Sequence, residues 1–106
     1  MQKDMIIKAI DDYDMYSNNQ KKVLKTLVAV SLDNLACVSV SSISEATKIA
    51  ANSIYVTLRK LENNKCITRE RPSGQKTNAY RINMDKINEI LNIYKKKTQG
   101  LNKIKE

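Results

Sequence analysis

The spacing of apolar residues predicts two amphipathic helices in the first third of the chain. Residues 2–15 repeat apolar side chains three and four positions apart, as one face of a helix does, at Met5, Ile6, Ala9, Ile10 and Tyr13. A second helix is expected from a cap at Ser17 or Asn18 to about Asp33. Its apolar face would carry Val23, Leu24, Leu27, Val28 and Ser31.

One short strand and one short helix are predicted next. Cys37–Val40 alternates in polarity and contains β-branched residues, which favours a strand. Ser42 and Glu45 have the spacing of a capping box, in which a serine side chain caps the helix and a glutamate bonds back to the cap. We therefore expect a short helix that begins at this box and ends at Ile49 or Ala50.

The next segment predicts a longer helix. Asn52 is the candidate cap, and 63–65 is the candidate end of the helix. Thr57 lies at the edge between its buried and exposed sides. The buried stripe would consist of Ile54, Leu58 and Leu61.

After this helix the period of the pattern changes from 3.6 residues to 2. Residues 66–71 predict a strand, 72–75 a turn and 77–82 a returning strand. Pro72 is the only proline and Gly74 is one of two glycines in the chain, and both lie in this turn. The segment is therefore predicted to be a β-hairpin.

A last helix is expected to begin at Asn83 or Asp85 and to stop at Gly100, with three lysines at 95–97 near its C-terminal end. Its apolar face would carry Ile87, Ile90, Leu91 and Tyr94. The predicted order of elements is α-α-β-α-α-β-β-α. The fold class is therefore mainly α with a small β-hairpin.

Charge narrows the class of partner. The chain has 106 residues, which suits one domain over 1–106, and a formal net charge of +8. A strongly basic balance favours a polyanionic partner. Residues 1–20 carry two lysines and four aspartates, so the N-terminus is acidic and does not resemble a basic tail.

Several functional classes are disfavoured by composition. The chain has no histidine, no acidic pair in a plausible pocket and no glycine-rich phosphate loop, which argues against an enzyme and predicts no catalytic residue, metal or cofactor. No apolar run is long enough to span a membrane, so we expect a cytoplasmic protein. Cys37 and Cys66 lie among apolar neighbours and are expected to be reduced and buried, with a disulfide between them as the alternative.

The four arginines are confined to one part of the chain. They are Arg59, Arg69, Arg71 and Arg81, whereas the fifteen lysines are distributed from one end to the other. The planar guanidinium binds phosphate and guanine edges with two parallel hydrogen bonds, which an ammonium group cannot do. A cluster on one helix and one hairpin is therefore typical of a DNA-binding surface, although four residues in a lysine-rich chain can also cluster by chance.

Residues 43–82 resemble the winged helix-turn-helix family of DNA-binding proteins, of the MarR-like or PadR-like type or the plasmid and mobile-element regulator type. The resemblance consists of a short helix, a tight turn, a recognition helix that ends in Leu58-Arg-Lys-Leu-Glu62, and a strand that enters the wing. Two positions depart from the family pattern, because Ala50-Ala51 and Lys65 stand where glycine is frequent. Asn63 or Asn64 could supply the left-handed conformation that Lys65 would otherwise need.

The resemblance implies binding of double-stranded DNA by the recognition helix and the wing. On the helix, the exposed candidates are Asn52, Ser53, Tyr55, Val56, Arg59 and Lys60. On the wing, they are Arg69, Arg71, Ser73, Gln75, Lys76 and Asn78. Arg81 is assigned to a structural ion pair with Glu62 or Asp85.

Other interpretations of these candidates stay open. Asn52 could act only as a helix cap, and Tyr55 could pack on a neighbouring helix. Its aromatic ring and hydroxyl would otherwise suit a thymine methyl group or a phosphate. The wing could be a charged edge hairpin that avoids aggregation rather than a DNA contact.

The terminal helices suggest a homodimer. Their apolar stripes, in 1–16 and 84–101, exceed what a winged domain needs for covering, and a two-fold dimer would match a palindromic DNA site. The candidate interface residues are Met5, Ile6, Ile10, Tyr13, Ile87, Ile90, Leu91 and Tyr94. Alternatively, both helices pack on their own domain and the protein is a monomer.

The expected function is sequence-specific transcription regulation, most simply as a repressor. Two alternatives remain: a plasmid or mobile-element replication or partition factor, and a winged helix used only for protein–protein contact. The first would use the same DNA-binding surface. The second would leave the basic face without a role.

Overall fold

Helices and strands follow one another in the predicted order within residues 3–71 and 78–105, the part of the chain that this computed structural model describes, with side chains up to residue 98. The elements are α1 (Lys3–Asp12), α2 (Asn18–Val30), β1 (Leu35–Cys37), α3 (Val40–Thr47), α4 (Ala51–Asn63), β2 (Ile67–Glu70), β3 (Ala79–Ile82) and α5 (Met84–Lys105). The predicted fold class, mainly α with a β-hairpin, is confirmed.

Helix α2 lies at the centre of the domain. It packs against α1, α3 and α4 and also contacts β1 and β3. Ser17 caps it in a complete capping box: the Ser17 side chain accepts a hydrogen bond from the Gln20 amide at 3.3 Å, and the Gln20 side chain accepts one from the Ser17 amide at 3.0 Å. Its core side chains, at most 1 % exposed, are Val23, Leu24, Leu27 and Val28.

The end of α2 differs from the prediction. The helix ends at Val30 and not near Asp33. Asp33 and Asn34 have φ angles of 52° and 66°, and Leu32 and Leu35 pair across them. Aspartate and asparagine tolerate this left-handed region better than other non-glycine residues, so the two residues form a tight turn instead of a last helical turn.

The strand and the short helix that follow begin earlier than predicted. β1 ends at Cys37, which pairs with Ala79, the first residue of β3. Ser39, not Ser42, caps α3, because its side chain accepts a hydrogen bond from the Ser42 amide at 3.1 Å. The predicted strand 37–40 and the predicted capping box are therefore wrong in position, since a serine three residues upstream offers the same chemistry where the sheet contact ends.

The tight turn between α3 and α4 contains no glycine. Lys48 takes the left-handed conformation with φ 62°, and its amide donates to the Ser44 carbonyl at 2.8 Å. Helix α3 therefore ends at Thr47 and not at Ile49 or Ala50. This backbone conformation replaces the glycine that the family pattern favours nearby.

The caps of α4 are also corrected. Ala50 occupies the N-cap without a side-chain bond, and Asn52 lies inside the helix, so the Asn52 cap is wrong. Lys65 itself adopts the left-handed conformation, with φ 61°, whereas Asn64 has φ −82°. The predicted buried stripe of Ile54, Leu58 and Leu61 is confirmed, and Thr57 joins it at 4 % exposure.

The three described strands form an antiparallel sheet in the order β1-β3-β2. Within the predicted hairpin, Ile67 pairs with Ile82 and Glu70 with Ala79. The predicted turn 72–75 and the first residue of the predicted returning strand, Thr77, lie outside the described residues. From here on, "wing" means residues 67–82.

The terminal helices pack on their own domain. Helix α1 lies against α5 and α2, and five of the predicted dimer-interface residues are at most 8 % exposed: Ile6, Ile10, Tyr13, Ile87 and Ile90. Burial in the chain's own core corrects the interface prediction for these five. Met5 is exposed, and Leu91 and Tyr94 are partly buried.

Helix α5 continues through Gly100 to Lys105, so the predicted stop at Gly100 is wrong. A glycine inside a helix costs about 1 kcal/mol relative to alanine, which neighbouring residues can offset. No helix in residues 3–71 and 78–105 is long and apolar enough to cross a membrane.

The two cysteines differ in environment. Both are free thiols, as predicted, but only Cys66 is buried; Cys37 is exposed at the end of β1, so that part of the prediction is wrong. Burial raises the pKa of the Cys66 thiol, which leaves less of the reactive thiolate at a given pH.

We expect iodoacetamide to alkylate Cys37 at least about ten times faster than Cys66 in the folded protein, because the reagent needs an accessible thiolate. Peptide mass spectrometry over a time course measures both rates in the same sample. In denaturant the two rates should become similar. Equal rates without denaturant would contradict the burial of Cys66.

Candidate nucleic-acid interface

Helix α4 turns one face toward solvent, and this face contains both polar side chains and Val56. At 3.6 residues per turn, Asn52, Val56 and Arg59 fall within about 60° of one another around the helix axis, and all three are exposed. The buried stripe described above lies on the opposite side. The two residues that flank this outward face are Tyr55 on one side and Lys60 on the other, both exposed.

A groove runs along the Lys60 side of α4, where the helix meets the N-terminal end of α2. Its volume is about 260 Å³, and its lining residues are Ser17, Asn19, Asn52, Ser53, Val56, Thr57 and Lys60. Hydroxyl, amide and ammonium groups in this lining can donate hydrogen bonds. An anionic oxygen is therefore a suitable ligand for the groove.

A second groove lies on the Tyr55 side, between α4, the start of α3 and the β3 side of the wing. Its volume is about 330 Å³, and it is lined by Val38, Ser39, Val40, Ser41, Tyr55, Asn78 and Tyr80. Tyr55 is 57 % exposed, so its ring borders this groove rather than packing fully on a neighbouring helix. Burial raises the pKa of the Tyr80 phenol, which keeps that hydroxyl neutral.

The wing arginines have different partners. Arg69 Nε lies 3.7 Å from Glu62 Oε1, and both side chains are partly exposed to solvent. Arg71 Nε donates to Asn78 Oδ1 at 3.2 Å across the hairpin. The structure thus joins Arg71 to Asn78 and Arg69 to Glu62 of α4, whereas the predicted residues Ser73, Gln75 and Lys76 lie outside the described residues.

Arg81 belongs to the scaffold, as predicted, but with a different partner. It donates two hydrogen bonds to Glu70, from Nε at 2.6 Å and from Nη2 at 3.2 Å. The predicted partners Glu62 and Asp85 are wrong, because Thr68 pairs with Arg81 in the sheet and brings Glu70 into diagonal contact with it. This contact holds the pKa of the Glu70 carboxyl below its usual range and raises that of Arg81.

Two positively charged side chains of α4 have no acidic partner within the part of the chain whose side chains are described. Within residues 3–71 and 78–98, Arg59 and Lys60 take part in no ion pair. An exposed, unpaired guanidinium keeps all five donors available for a ligand. Arg59 therefore has the greatest freedom to bind among the described arginines.

Sequence reasoning missed the contribution of α2 to this surface. Ser17 could be identified as a helix cap, and nothing in the spacing of Ser17 and Asn19 shows that they lie beside α4. It also missed a clamp at the far end of α4, where the Tyr16 hydroxyl donates to Asn64 Oδ1 at 2.6 Å. Tyr13 packs edge-on against Tyr16 with the ring centroids 4.8 Å apart, so the α1–α2 loop fixes the end of the helix.

We expect Tyr16→Phe to lower the free energy of unfolding by about 1 kcal/mol, the net value of one partly buried hydrogen bond. In an Asn64→Ala background the same change should cost clearly less, because its partner is already absent. Urea denaturation of the wild type, both single variants and the double variant gives this coupling. Tyr94→Phe is the matched control, and strict additivity at Tyr16 and Asn64 would contradict the clamp.

The fold is similar to that of several solved structures. The F27L mutant of MepR from Staphylococcus aureus, bound to an oligodeoxyribonucleotide, superposes with a TM-score of 0.65 at 22 % identity, covering 94 % of this chain and 75 % of that one. YusO from Bacillus subtilis gives a TM-score of 0.59 at 15 % identity, covering 93 % and 68 %. The zinc-responsive MarR family member ZitR from Lactococcus lactis gives 0.57 at 17 %, covering 83 % and 59 %.

No protein-family model matches the sequence, and no curated protein does either. The structural similarities establish the winged helix-turn-helix fold, which confirms the fold that the sequence predicted. Within that fold, α3 and α4 form the helix-turn-helix, and α4 is its second helix.

Proposed function

We propose that this protein binds double-stranded DNA through α4 and the wing, and that it is a sequence-specific transcription regulator acting as a repressor. The observation that carries the proposal is the outward face of α4, where Asn52, Val56 and Arg59 are exposed in one line. An α-helix fits the major groove, and this face would be turned toward the base edges. The oligodeoxyribonucleotide in the similar MepR mutant supports the same class of ligand.

Each part of the surface has a chemical role in this proposal. Arg59 supplies a fork for guanine or phosphate, and Asn52 an amide for adenine. The polar groove beside Lys60 receives a backbone phosphate, which sets the register of α4 without specifying bases. Arg69 and Arg71 contact the backbone or the minor groove from the wing.

The ion pair between Arg69 and Glu62 is compatible with this role. Its two side chains are 61 % and 26 % exposed, and exposed pairs contribute about 0–1 kcal/mol. A phosphate can therefore replace Glu62 as the partner of Arg69 at little cost. Arg81, with two hydrogen bonds to Glu70, is excluded from the proposed surface.

The experiment that tests the proposal is selection from a random double-stranded DNA library, followed by a salt titration with the selected duplex. Phosphate contacts release counterions, so the logarithm of the affinity should fall linearly with the logarithm of the salt concentration. A protein–protein module without DNA binding would enrich no duplex. That result would overturn the proposal.

We further propose that the protein binds its DNA site as a homodimer. Of the predicted interface residues, Met5, Leu91 and Tyr94 retain solvent exposure, and Ile93 on α5 is a further exposed apolar residue at 38 %. Covering them by a second copy would place two α4 helices on one duplex. We expect sedimentation equilibrium at micromolar concentration to give twice the mass of the chain, and a strictly monomeric mass would contradict the dimer.

A further inference from the structure

Two large, mainly apolar side chains of α4 are exposed to solvent and lie outside the buried stripe of this helix. Tyr55 is 57 % exposed and Val56 is 51 % exposed, whereas Ile54, Leu58 and Leu61 on the same helix are at most 4 % exposed. Valine is a weak helix former, and at a half-exposed position it gains less from packing than it would in the core. A single exposed valine is ordinary on a protein surface, so its position in the proposed site must decide whether it has a role.

Along the helix axis, Val56 lies between Asn52 and Arg59, the two polar residues most suited to bases; around the axis it lies on the Lys60 side of both and also lines the groove beside Lys60. Along the helix it lies one turn after Asn52 and three residues before Arg59, so its Cα is separated from theirs by about 6 Å and about 4.5 Å of rise. Tyr55 lies about 100° away around the axis, on the flank that borders the wing. A base edge facing the centre of α4 therefore meets Val56.

The chemistry of valine restricts which base it can recognise. The side chain has no hydrogen-bonding atom, and in the major groove the apolar feature of a natural base pair is the C5 methyl group of thymine. Branching at Cβ fixes the side chain in one strongly preferred rotamer in a helix, so its two methyl groups are already oriented. Contact with a thymine methyl group therefore costs little side-chain conformational entropy.

We propose that Val56 is a specificity-determining residue that recognises the C5 methyl group of a thymine in each half-site. The inference rests on the proposed DNA-binding function and deepens it. It assigns the methyl contact to Val56, while Tyr55, with its hydroxyl at the flank, is left to the DNA backbone or the wing. A cytosine methylated at C5 presents the same group and would be accepted in part, whereas an unmethylated pyrimidine would not.

Replacement of thymine by 2′-deoxyuridine tests the contact, because it removes the methyl group and leaves base pairing intact. In the duplex selected from the random library, each thymine is replaced in turn and the affinity is measured by fluorescence anisotropy. We expect one position in each half-site at which the wild-type protein loses about fourfold in affinity, the value of one buried methyl group. Val56→Ala lacks both methyl groups of valine, so its preference for the thymine over the uracil duplex at that position should fall clearly below that of the wild type.

Two controls separate this contact from general effects. Lys60→Ala, on the same helix, should keep the thymine-to-uracil ratio of the wild type while weakening binding overall. Val56→Ala should keep the salt dependence of the wild type, because valine makes no phosphate contact. Circular dichroism verifies that the exposed substitution leaves the helices intact.

The possible results are distinguishable. If the wild type binds its selected duplex with the expected salt dependence but no thymine is sensitive to uracil, the Val56 inference is overturned and the proposed function stands. The same holds if Val56→Ala retains the sensitivity of the wild type. If no duplex is selected at all, the proposed function is overturned, and this inference with it.

Discussion

Leu27→Ala is expected to lower the free energy of unfolding by about 3–5 kcal/mol, within the range for fully buried leucines. Leu27 is 0 % exposed and belongs to α2, the helix that packs against α1, α3 and α4. The substitution removes transfer free energy and leaves a cavity that these helices can fill only by moving. Urea denaturation followed by circular dichroism measures the change, as a shift of the midpoint at an unchanged slope.

Leu32→Ala is the matched control, because it is the same substitution at a position that is 79 % exposed. We expect a change of no more than about 0.5 kcal/mol there. If Leu27→Ala also stayed within that limit, α2 would not be the centre of the core. Because the substitution is Leu→Ala at both positions, the contrast between them reports burial and not residue type; the difference in helix propensity between leucine and alanine at Leu27 is a few tenths of a kcal/mol at most.

The loss at Leu27 would be a large part of the total stability. Single domains unfold with about 5–15 kcal/mol, and the orientation of α4 depends on the same packing, since α2 and α4 are in direct contact. We therefore expect the variant to lose DNA binding as temperature rises, well before a surface variant does. The proposed function and the core are in this sense coupled through α2.

Most of the helices could be predicted because their apolar residues recur with helical spacing, and the core stripe of α4 illustrates this. Ile54, Leu58 and Leu61 were identified from periodicity alone, and their burial follows from the single requirement that one face of the helix be dry. The change of period after Lys65 likewise predicted the paired strands. These features depend on local pattern, which the sequence contains.

Caps and turns were predicted less well, because several residues offered the same local chemistry. Ser39 and Ser42 can both cap a helix, and the sheet contact at Cys37 decides between them. Asn52 is a better cap than Ala50 in isolation, yet Lys48 turns the chain early and α4 begins at Ala51. Tertiary contacts selected among local options that differ by about 1 kcal/mol.

Contacts between residues distant in sequence could not be predicted from the local pattern of apolar and polar residues. The pairing of Arg81 with Glu70 requires the register of the hairpin, and the Tyr16 clamp requires the position of the α1–α2 loop. The apolar stripes of α1 and α5 were compatible with both a dimer interface and internal packing. The structure shows internal packing for the five buried residues, because α1 and α5 contact each other. The exposure of Cys37 was also not predictable from the local pattern, because it depends on where β1 ends in the sheet.

The α4 part of the candidate site was predictable, because it consists of the positions that remain when the buried stripe of this helix is removed. Removing the buried positions of α4 left Asn52, Ser53, Tyr55, Val56, Arg59 and Lys60, and five of these are exposed, with Ser53 half-buried. The groove between α4 and the start of α2 was not predictable, because it joins segments more than thirty residues apart. Assignment of these residues to DNA contacts remains our proposal.

Arg59→Ala is expected to weaken binding of the selected duplex by about 5- to 150-fold, the effect of about 1–3 kcal/mol for an arginine that contacts a base. Arg59 is exposed and, within the described side chains, unpaired, so its removal breaks no ion pair of the fold. The unfolding free energy should therefore change by no more than about 0.5 kcal/mol. Fluorescence anisotropy at several salt concentrations measures the affinity and its salt slope.

The matched control is Lys95→Ala, which removes the same charge from α5, outside the proposed surface, and should leave the affinity nearly unchanged. Arg59→Lys separates two roles of the guanidinium, because lysine keeps the charge and loses the two-bonded fork. If Arg59 contacts guanine, this variant retains the wild-type salt slope but tolerates other bases at one position. If Arg59 contacts only phosphate, Arg59→Ala reduces the salt slope by about one and weakens all duplexes equally. If Arg59→Ala bound the duplex as tightly as the wild type, the centre of α4 would not be part of the interface. The proposed orientation of α4 in the major groove would then be wrong, and so would the base contacts that depend on it.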